Sequence, residues 1–253
     1  IVATATAATT HADDHPGHNL YVSLGYSIVD QDDSNNQGEF SSAFTTGTVT
    51  GVNPPLNIPA GANVGWDTEF DRGDSYSIAL GKRFNQWRVE LAYSRGSSDI
   101  DEHNGVSAAG IALDAIDVGV LITGNVGDLG ISTGDFVANA GGSIDTETWM
   151  INAYYDFDLG WPVTPFIGAG IGISDVDVDY SPSNTEIIDD DDRATVYQWA
   201  IGLSYPVTDN VKLQFSYSQL RSDDVEVDAT LIPAKFEIEN DSSHYNFSLR
   251  FSF

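Results

Sequence analysis

The sequence predicts an all-β fold, an antiparallel up-and-down barrel of eight strands that crosses a membrane. Large apolar side chains alternate with polar ones in segment after segment, which places the two sets on opposite faces of a strand. No apolar run approaches the roughly 20 residues that a membrane helix needs. Short turns alternate with long polar connections between the segments, an asymmetry typical of membrane-spanning barrels.

The composition is strongly acidic and lacks cysteine, which excludes several classes of partner and site. The 253 residues include 38 acids and 10 bases, for a formal net charge of −28, and the mean hydropathy is −0.17. So acidic a surface repels nucleic acid, which excludes that class of partner. Cysteine is absent, which also excludes disulfides and thiolate metal sites. The excess of acids points instead to cation binding or a saline habitat.

The chain divides into a short leading segment and one domain. We interpret residues 1–18, which begin with a small, Thr-rich stretch, as an N-terminal extension or the residual tail of a secretory signal. Residues 19–253 form the predicted barrel domain. Its eight strands are predicted at 19–28, 75–84, 87–94, 149–157, 164–180, 197–205, 211–217 and 245–253.

Each strand is assigned from its alternation. Strand one has apolar residues at even positions from Leu20 to Ile28, and strand two continues with Tyr76, Ile78 and Leu80. Strands three to seven have their predicted outward residues at Trp87, Val89, Leu91, Tyr93, Trp149, Ile151, Ala153, Tyr155, Phe157, Ile167, Ala169, Ile171, Ile173, Tyr197, Trp199, Ile201, Leu203, Tyr205, Val211, Leu213, Phe215 and Tyr217. Aromatic residues cluster near the strand ends, where they suit the two interfaces of a membrane.

The four long connections are predicted to be polar loops at one end of the barrel, at 30–74, 96–147, 181–193 and 219–243. Within the second, Val106–Leu121 is apolar enough for a short helix or an extra hairpin. The last is predicted to protrude as a hairpin. Residues 30–74, 99–147, 175–192 and 223–241 hold eight, nine, eight and seven acids, which makes 32 of the 38. We therefore expect one strongly acidic end.

The last strand carries the sharpest pattern. Its apolar positions are Tyr245, Phe247, Leu249, Phe251 and Phe253. Together with Asn152–Phe157 (NAYYDF) and Thr164–Gly172 (TPFIGAGIG), this strand resembles the eight-stranded β-barrels of bacterial outer membranes, a family that includes OmpA-like and Opa-like membrane domains. The resemblance covers residues 19–253.

The resemblance implies a location and a mode of assembly. A member of this family lies among outer-membrane lipid and lipopolysaccharide, with its long loops outside the cell. Its last strand pairs with its first, and the terminal aromatic pattern serves as the assembly signal for the barrel-assembly machinery. The chain differs from OmpA-like proteins in its longer, more acidic loops, and we expect no peptidoglycan-binding domain after the barrel.

One predicted hairpin offers a candidate Ca²⁺ site. Alternate acids on a strand share a face at spacings of about 7 Å, and Ca²⁺ takes six to eight oxygens from flexible carboxylate sets. The candidate ligands are Asp175, Asp177, Asp179, Asp189, Asp190, Asp191 and Asp192. The alternative is a solvated acidic loop without a specific ion. No cofactor is predicted to be required.

A second candidate site lies inside the barrel. The charged residues predicted to face the lumen are Arg88, Glu90, Asp156, Lys212, His244 and Arg250. Eight strands leave just enough room for side chains, and buried charges must be paired. The sequence therefore favours a closed lumen over a conducting pore.

These observations predict a non-enzymatic barrel with a structural or surface-interaction role, acting through acidic, cation-binding loops on an extracellular protein partner or on lipopolysaccharide. One alternative is a small channel for ions or solutes. The other is a lipid-modifying enzyme. For the enzyme, His103 lies beside Asp101 and Glu102, and His244 lies near Ser242, the residue types of a nucleophile and its base.

Overall fold

The computed structural model describes residues 19–139 and 141–253, so the predicted N-terminal extension lies outside it. The described chain is largely β-structure. Its strands are β1 (Leu20–Gln31), β2 (Ser34–Phe40), β3 (Phe44–Thr45), β4 (Asn57–Ile58), β5 (Asn63–Phe70), β6 (Gly73–Phe84), β7 (Trp87–Ala108), β8 (Ile111–Ala112), β9 (Gly142–Asp156), β10 (Thr164–Tyr180), β11 (Ile188–Pro206), β12 (Val211–Ser222), β13 (Val225–Asp228), β14 (Ala234–Ile238) and β15 (Ser242–Ser252). The helical segments are α1 (Thr133–Ala138) and two 3₁₀ turns, Val118–Leu121 and Pro182–Asn184.

Eight strands pair antiparallel in a closed circuit. The order is β1, β6, β7, β9, β10, β11, β12 and β15. Strand β15 then pairs back with β1, in a register that runs from Tyr21 opposite Ser252 to Gln31 opposite Ser242. Closure of this kind leaves no unpaired edge strand in the circuit.

The lower part of the circuit has the surface of a membrane-spanning barrel. This part, named the belt, comprises residues 20–31, 73–96, 148–173, 196–222 and 242–253. Its outward side chains are large, apolar and about half exposed, as with Ile151 at 60%. Rings pair at both ends, Trp87 with Tyr155 at one and Tyr93 with Trp149 at the other. An apolar band between two aromatic girdles is the lipid-facing surface of such barrels.

Above the belt the sheet continues as a second enclosure. This part, named the crown, comprises residues 32–72, 97–139, 141–147, 174–195 and 223–241. Strands β13, β14, β2 and β5 join the extended ends of β7, β9, β10 and β11. Strands β11 and β13 meet at a seam, where Ile188 bridges Ala229 and the Asp223 N–H donates to the Thr195 carbonyl at 2.9 Å.

The two parts differ in which face is apolar. In the belt, Ile171 and Ile173 of β10 point outward. Higher on the same strand, in the crown, Val176 and Val178 are fully buried inside, and the acids between them face out. The crown interior is the main hydrophobic core of the molecule, with Phe40, Val64, Ile100, Ile144, Ile188, Val225, Phe236 and Ile238 among its buried residues.

The prediction of an all-β, antiparallel, up-and-down fold is confirmed, and β10 has the predicted bounds. The prediction of long loops is wrong for much of the crown, although a long connection remains between β8 and β9. Strands β2 to β5 occupy 30–74, β7 continues to Ala108, and β11 begins at Ile188, so that Asp189–Asp192 belong to a strand. Residues 219–243 do form a hairpin, β13–β14. Val106–Leu121 contains both a small hairpin, β7–β8, and a 3₁₀ turn. No helix in the described residues is long and apolar enough to cross a membrane.

Candidate functional site

A buried ion-pair network lies in the lower lumen. Arg88 is the first inward residue of β7, and its side chain is 1% exposed. Its Nη1 lies 2.9 Å from Glu90 Oε1, and its Nε lies 3.0 Å from Asp156 Oδ1. Tyr21 adds a hydrogen bond from its hydroxyl to Glu90 Oε1 at 2.6 Å. A guanidinium held by two carboxylates satisfies the requirement that buried charges be paired.

Aromatic rings hold the Arg88 guanidinium in place. Its central carbon lies 4.5 Å from the Tyr154 ring centroid and 5.0 Å from that of Phe166. Gly168 of the TPFIGAGIG segment clears the necessary space, because a Cβ at this position would collide with the Tyr154 ring. The resemblance motif thus has a physical reason. It positions the two rings that flank the buried arginine.

The other predicted lumen charges lie outside this network. The Arg250 guanidinium carbon sits 5.2 Å from the Tyr21 ring centroid, and Lys212 faces Arg250 across the β12–β15 register. His244 Nε2 lies 3.0 Å from Ser242 Oγ. Three of the six predicted residues, Arg88, Glu90 and Asp156, are therefore brought into contact. Higher in the lumen a polar cavity of about 130 Å³ remains, lined largely by serine, asparagine and glutamine.

The outer face of the crown concentrates the acids. Sheet register places Asp177 between Asp145 on β9 and Asp191 on β11. The acids that share this face are Asp145, Glu147, Asp175, Asp177, Asp179, Asp189 and Asp191. Partial burial, and next the charge of Asp145, raise the pKa of Asp177 above its usual value. Arg193 pairs with Asp175, so some of the repulsion is offset.

Two of the predicted Ca²⁺ ligands have a different role in the structure. Asp190 Oδ2 accepts a hydrogen bond from the Asp228 N–H at 2.9 Å, and Asp192 Oδ2 accepts one from the Glu226 N–H at 3.0 Å. These N–H groups belong to β13, the strand at the end of the sheet order. The two carboxylates therefore accept hydrogen bonds from backbone N–H groups of an edge strand across the seam.

The described residues contain no group of three or more acidic or histidine side chains arranged to hold a metal ion. The register splits the seven predicted ligands between the outer face and the seam. Binding of Ca²⁺ by rearrangement of the outer acids stays a prediction.

A buried polar cluster lies inside the crown, and the sequence alone did not reveal it. Thr68 Oγ1 accepts from Asn36 Nδ2 at 2.6 Å and from Trp66 Nε1 at 3.1 Å. Its own proton therefore goes to His103 Nδ1, 2.8 Å away. His103 is 2% exposed, and burial lowers its pKa from 6.5 to about 4. The pairing of β5 with β7 assembles this cluster, and no local motif signals that pairing.

Comparison with known proteins agrees with this geometry. Outer membrane protein PagN of Salmonella typhimurium is 31% identical over 106 residues, which cover 38% of this chain and 43% of PagN. The match thus spans less than half of PagN. An uncharacterised protein of Brucella suis is 26% identical over 200 residues, covering 65% of this chain and 70% of that protein.

A solved structure shares the fold, and a family profile covers the sequence. The crystal structure of OprG from Pseudomonas aeruginosa aligns with a TM-score of 0.52 at 13% identity, covering 95% of this chain and 99% of OprG. The family described as outer membrane protein beta-barrel domain matches residues 1–251. Because that match takes in nearly the whole sequence, the chain belongs to this family of bacterial outer-membrane proteins, which cross the membrane with strands.

Proposed function

We propose that the chain is a non-enzymatic surface protein whose eight-stranded belt anchors a rigid acidic crown outside the cell. The single observation that carries this proposal is the filled interior below an acidic outer face. The Arg88 network occupies the lower lumen, and apolar side chains fill most of the crown. The charged surface exposed to a macromolecular partner is the acidic outer face, which suits divalent cations, cation-bridged lipopolysaccharide or a basic protein surface.

We infer the orientation from the belt rim opposite the crown, which carries the short turns after β6, β9 and β11. Strand β15 ends on the belt rim opposite the crown, with Phe253 N–H bonded to the Leu20 carbonyl at 2.9 Å. Members of the resembling family keep this rim on the periplasmic side, which puts the crown outside. The terminal aromatics, all outward on β15, are available to the barrel-assembly machinery as a signal.

A binding measurement tests the proposal. Protein in nanodiscs is compared with a variant carrying Asp145→Asn, Asp177→Asn and Asp191→Asn for its retention of lipopolysaccharide in millimolar Ca²⁺. The matched control replaces Asp158 and Asp209, acids of the short turns at the other end, with Asn. We expect the crown variant to lose binding and the control to keep it. Two results contradict a specific crown surface. One is equal lipopolysaccharide binding by both variants, and the other is equal binding when Na⁺ replaces Ca²⁺ at matched ionic strength.

The second candidate is a small channel, favoured by the polar cavity in the upper lumen. Planar-bilayer recording separates the two functions. Stable conductance from the pure protein supports the channel, and its absence supports the closed lumen. The enzyme alternative has less support, because in the described residues no carboxylate hydrogen-bonds to His244, and His103 is buried against Thr68.

A further inference from the structure

The crown core is not completely filled. It contains a cavity of about 180 Å³ whose lining is almost entirely apolar. The walls come from strands β2, β5 and β7 and from four connecting segments, with Val64, Trp66, Ala108, Leu113, Val120 and Ile232 among the lining residues. Native cores contain few voids larger than a water molecule, so a cavity of this size needs an explanation.

The few polar groups on the wall are already engaged. Thr46 Oγ1 accepts from the Leu56 N–H at 2.9 Å, and Trp66 Nε1 donates to Thr68 Oγ1 at 3.1 Å. A water molecule needs two to four polar partners, which this wall does not offer. An engineered apolar cavity of about 150 Å³ stays dry and binds benzene or xenon. The wall therefore favours an uncharged apolar occupant.

The cavity has a mouth, and part of its wall is held in place by a polar anchor. Leu56 and Ile111 line the cavity yet remain 43% and 46% exposed, so they mark an opening toward solvent. Val120 and Leu121 of the 3₁₀ turn Val118–Leu121 form part of the wall. Asp117 anchors that turn by accepting hydrogen bonds from the Gly119 N–H at 2.9 Å and the Gly130 N–H at 2.7 Å.

We propose that the crown cavity binds a small uncharged apolar molecule, of about the size of a substituted benzene ring or a short branched alkane. The Trp66 ring would form one side of the site. This binding is separate from the acidic outer face, because none of the acids on that face lines the cavity. Loss of one function therefore leaves the other measurable.

The tryptophan distribution supplies a probe. The chain has five tryptophans, and Trp87, Trp149, Trp161 and Trp199 are all about half exposed or more. Replacing those four with Phe leaves Trp66 as the only fluorophore of its type. Bromobenzene quenches tryptophan on contact, so we expect saturable quenching of Trp66 in nanodiscs. Simple partition into lipid gives a linear, unsaturable response.

Two matched variants complete the test. Ala108→Leu fills the cavity and should weaken bromobenzene binding at least tenfold. Ala153→Leu makes the same change on the lipid-facing surface and should leave it unchanged. If Ala108→Leu fails to show the heat-modifiable gel migration of a folded barrel, Val64→Leu replaces it. Linear quenching of Trp66 in the parent overturns the proposal. Saturable quenching that persists in the cavity-filling variant also overturns it. If Ala108→Leu raises the thermal midpoint and the parent shows no saturable quenching, the cavity is a packing void and the proposal fails.

Discussion

The belt and the crown are built on the same strands with opposite polarity. On β10, Ile171 meets lipid and Gly170 faces the lumen, whereas a few residues later Asp177 meets water and Val178 fills the core. The strand alternates without interruption, and only the chemistry of each face changes. The surrounding medium decides which side is apolar, because lipid accepts no unpaired polar group and water opposes exposed apolar area.

The two interiors are consequently stabilised in different ways. The crown relies on apolar burial, worth about 25 cal/mol per Å², as in a soluble domain. The belt encloses a polar lumen and relies on pairing, as Arg88 shows with Glu90 and Asp156. The stability of such an interior falls strongly when one member of a buried ion pair is removed.

The largest expected effect comes from breaking the belt network. Arg88→Ala leaves Glu90 and Asp156 buried without their cation and should destabilise the barrel by about 3–5 kcal/mol. Arg95→Ala, which removes an exposed pair with Glu147, should cost less than about 1 kcal/mol. Urea unfolding in detergent, followed by gel migration, measures both. Equal effects from the two substitutions contradict the importance of burial.

The next effect concerns pH and the crown alone. The buried His103 has a pKa of about 4, below the 6.5 of an exposed histidine, because burial disfavours its charged form. Between these values the unfolded chain binds the proton and the folded chain does not, so stability falls as pH falls from 6.5 to 4. The full loss is about 3 kcal/mol. His103→Gln should remove this slope, measured as the pH dependence of crown proteolysis. If the pH dependence is unchanged in His103→Gln, titratable groups other than His103 cause it.

The seam of the crown should respond less strongly. The double change Asp190→Ala and Asp192→Ala removes the acceptors for two β13 N–H groups and should cost about 1–3 kcal/mol. Hydrogen exchange at Glu226 and Asp228 should accelerate. Asn at both positions keeps an oxygen acceptor and should restore most of the protection. Ala at Asp189 and Asp191, which point outward, is the matched control and should leave exchange unchanged.

The smallest effect is electrostatic. The pKa of Asp177 is raised, so the folded crown holds a proton that the unfolded chain releases, and stability falls as pH rises through the window above 3.8. Asp177→Asn should therefore stabilise the crown slightly at neutral pH. The gain should shrink in high salt or in Ca²⁺. If Ca²⁺ stabilises the crown no better than Na⁺ does at equal ionic strength, the prediction of a specific Ca²⁺ site is wrong.

Sequence reasoning succeeded where periodicity is local. The outward apolar residues of the belt, from Leu24 to Phe247, follow directly from a period of two. The inward position of Arg88 followed in the same way. The two rings beside Arg88, Tyr154 and Phe166, belong to the family motif, but only the β9–β10 register, which sets Tyr154 opposite Gly168, explains their role.

The hairpin at 219–243 was predicted, but the other crown strands were not, because they look polar. Ser34–Phe40 (SNNQGEF), for example, contains a single large apolar residue and has the composition of a loop. Pairings such as β2 with β14 join residues almost 200 positions apart, and no local pattern encodes them. The seam roles of Asp190 and Asp192 depend on that pairing, so a run of four aspartates gave no hint of them.

The unbroken length of β7 sets how far the protein reaches. Its 22 residues, at about 3.3 Å each, measure about 70 Å along the strand. At a tilt of about 40° this gives a height of about 55 Å, of which the apolar band takes about 25 Å. The crown thus stands roughly 30 Å clear of the hydrocarbon on stiff strands. In the orientation proposed above, an approaching cell, sugar layer or protein touches the acidic wall well before it touches lipid.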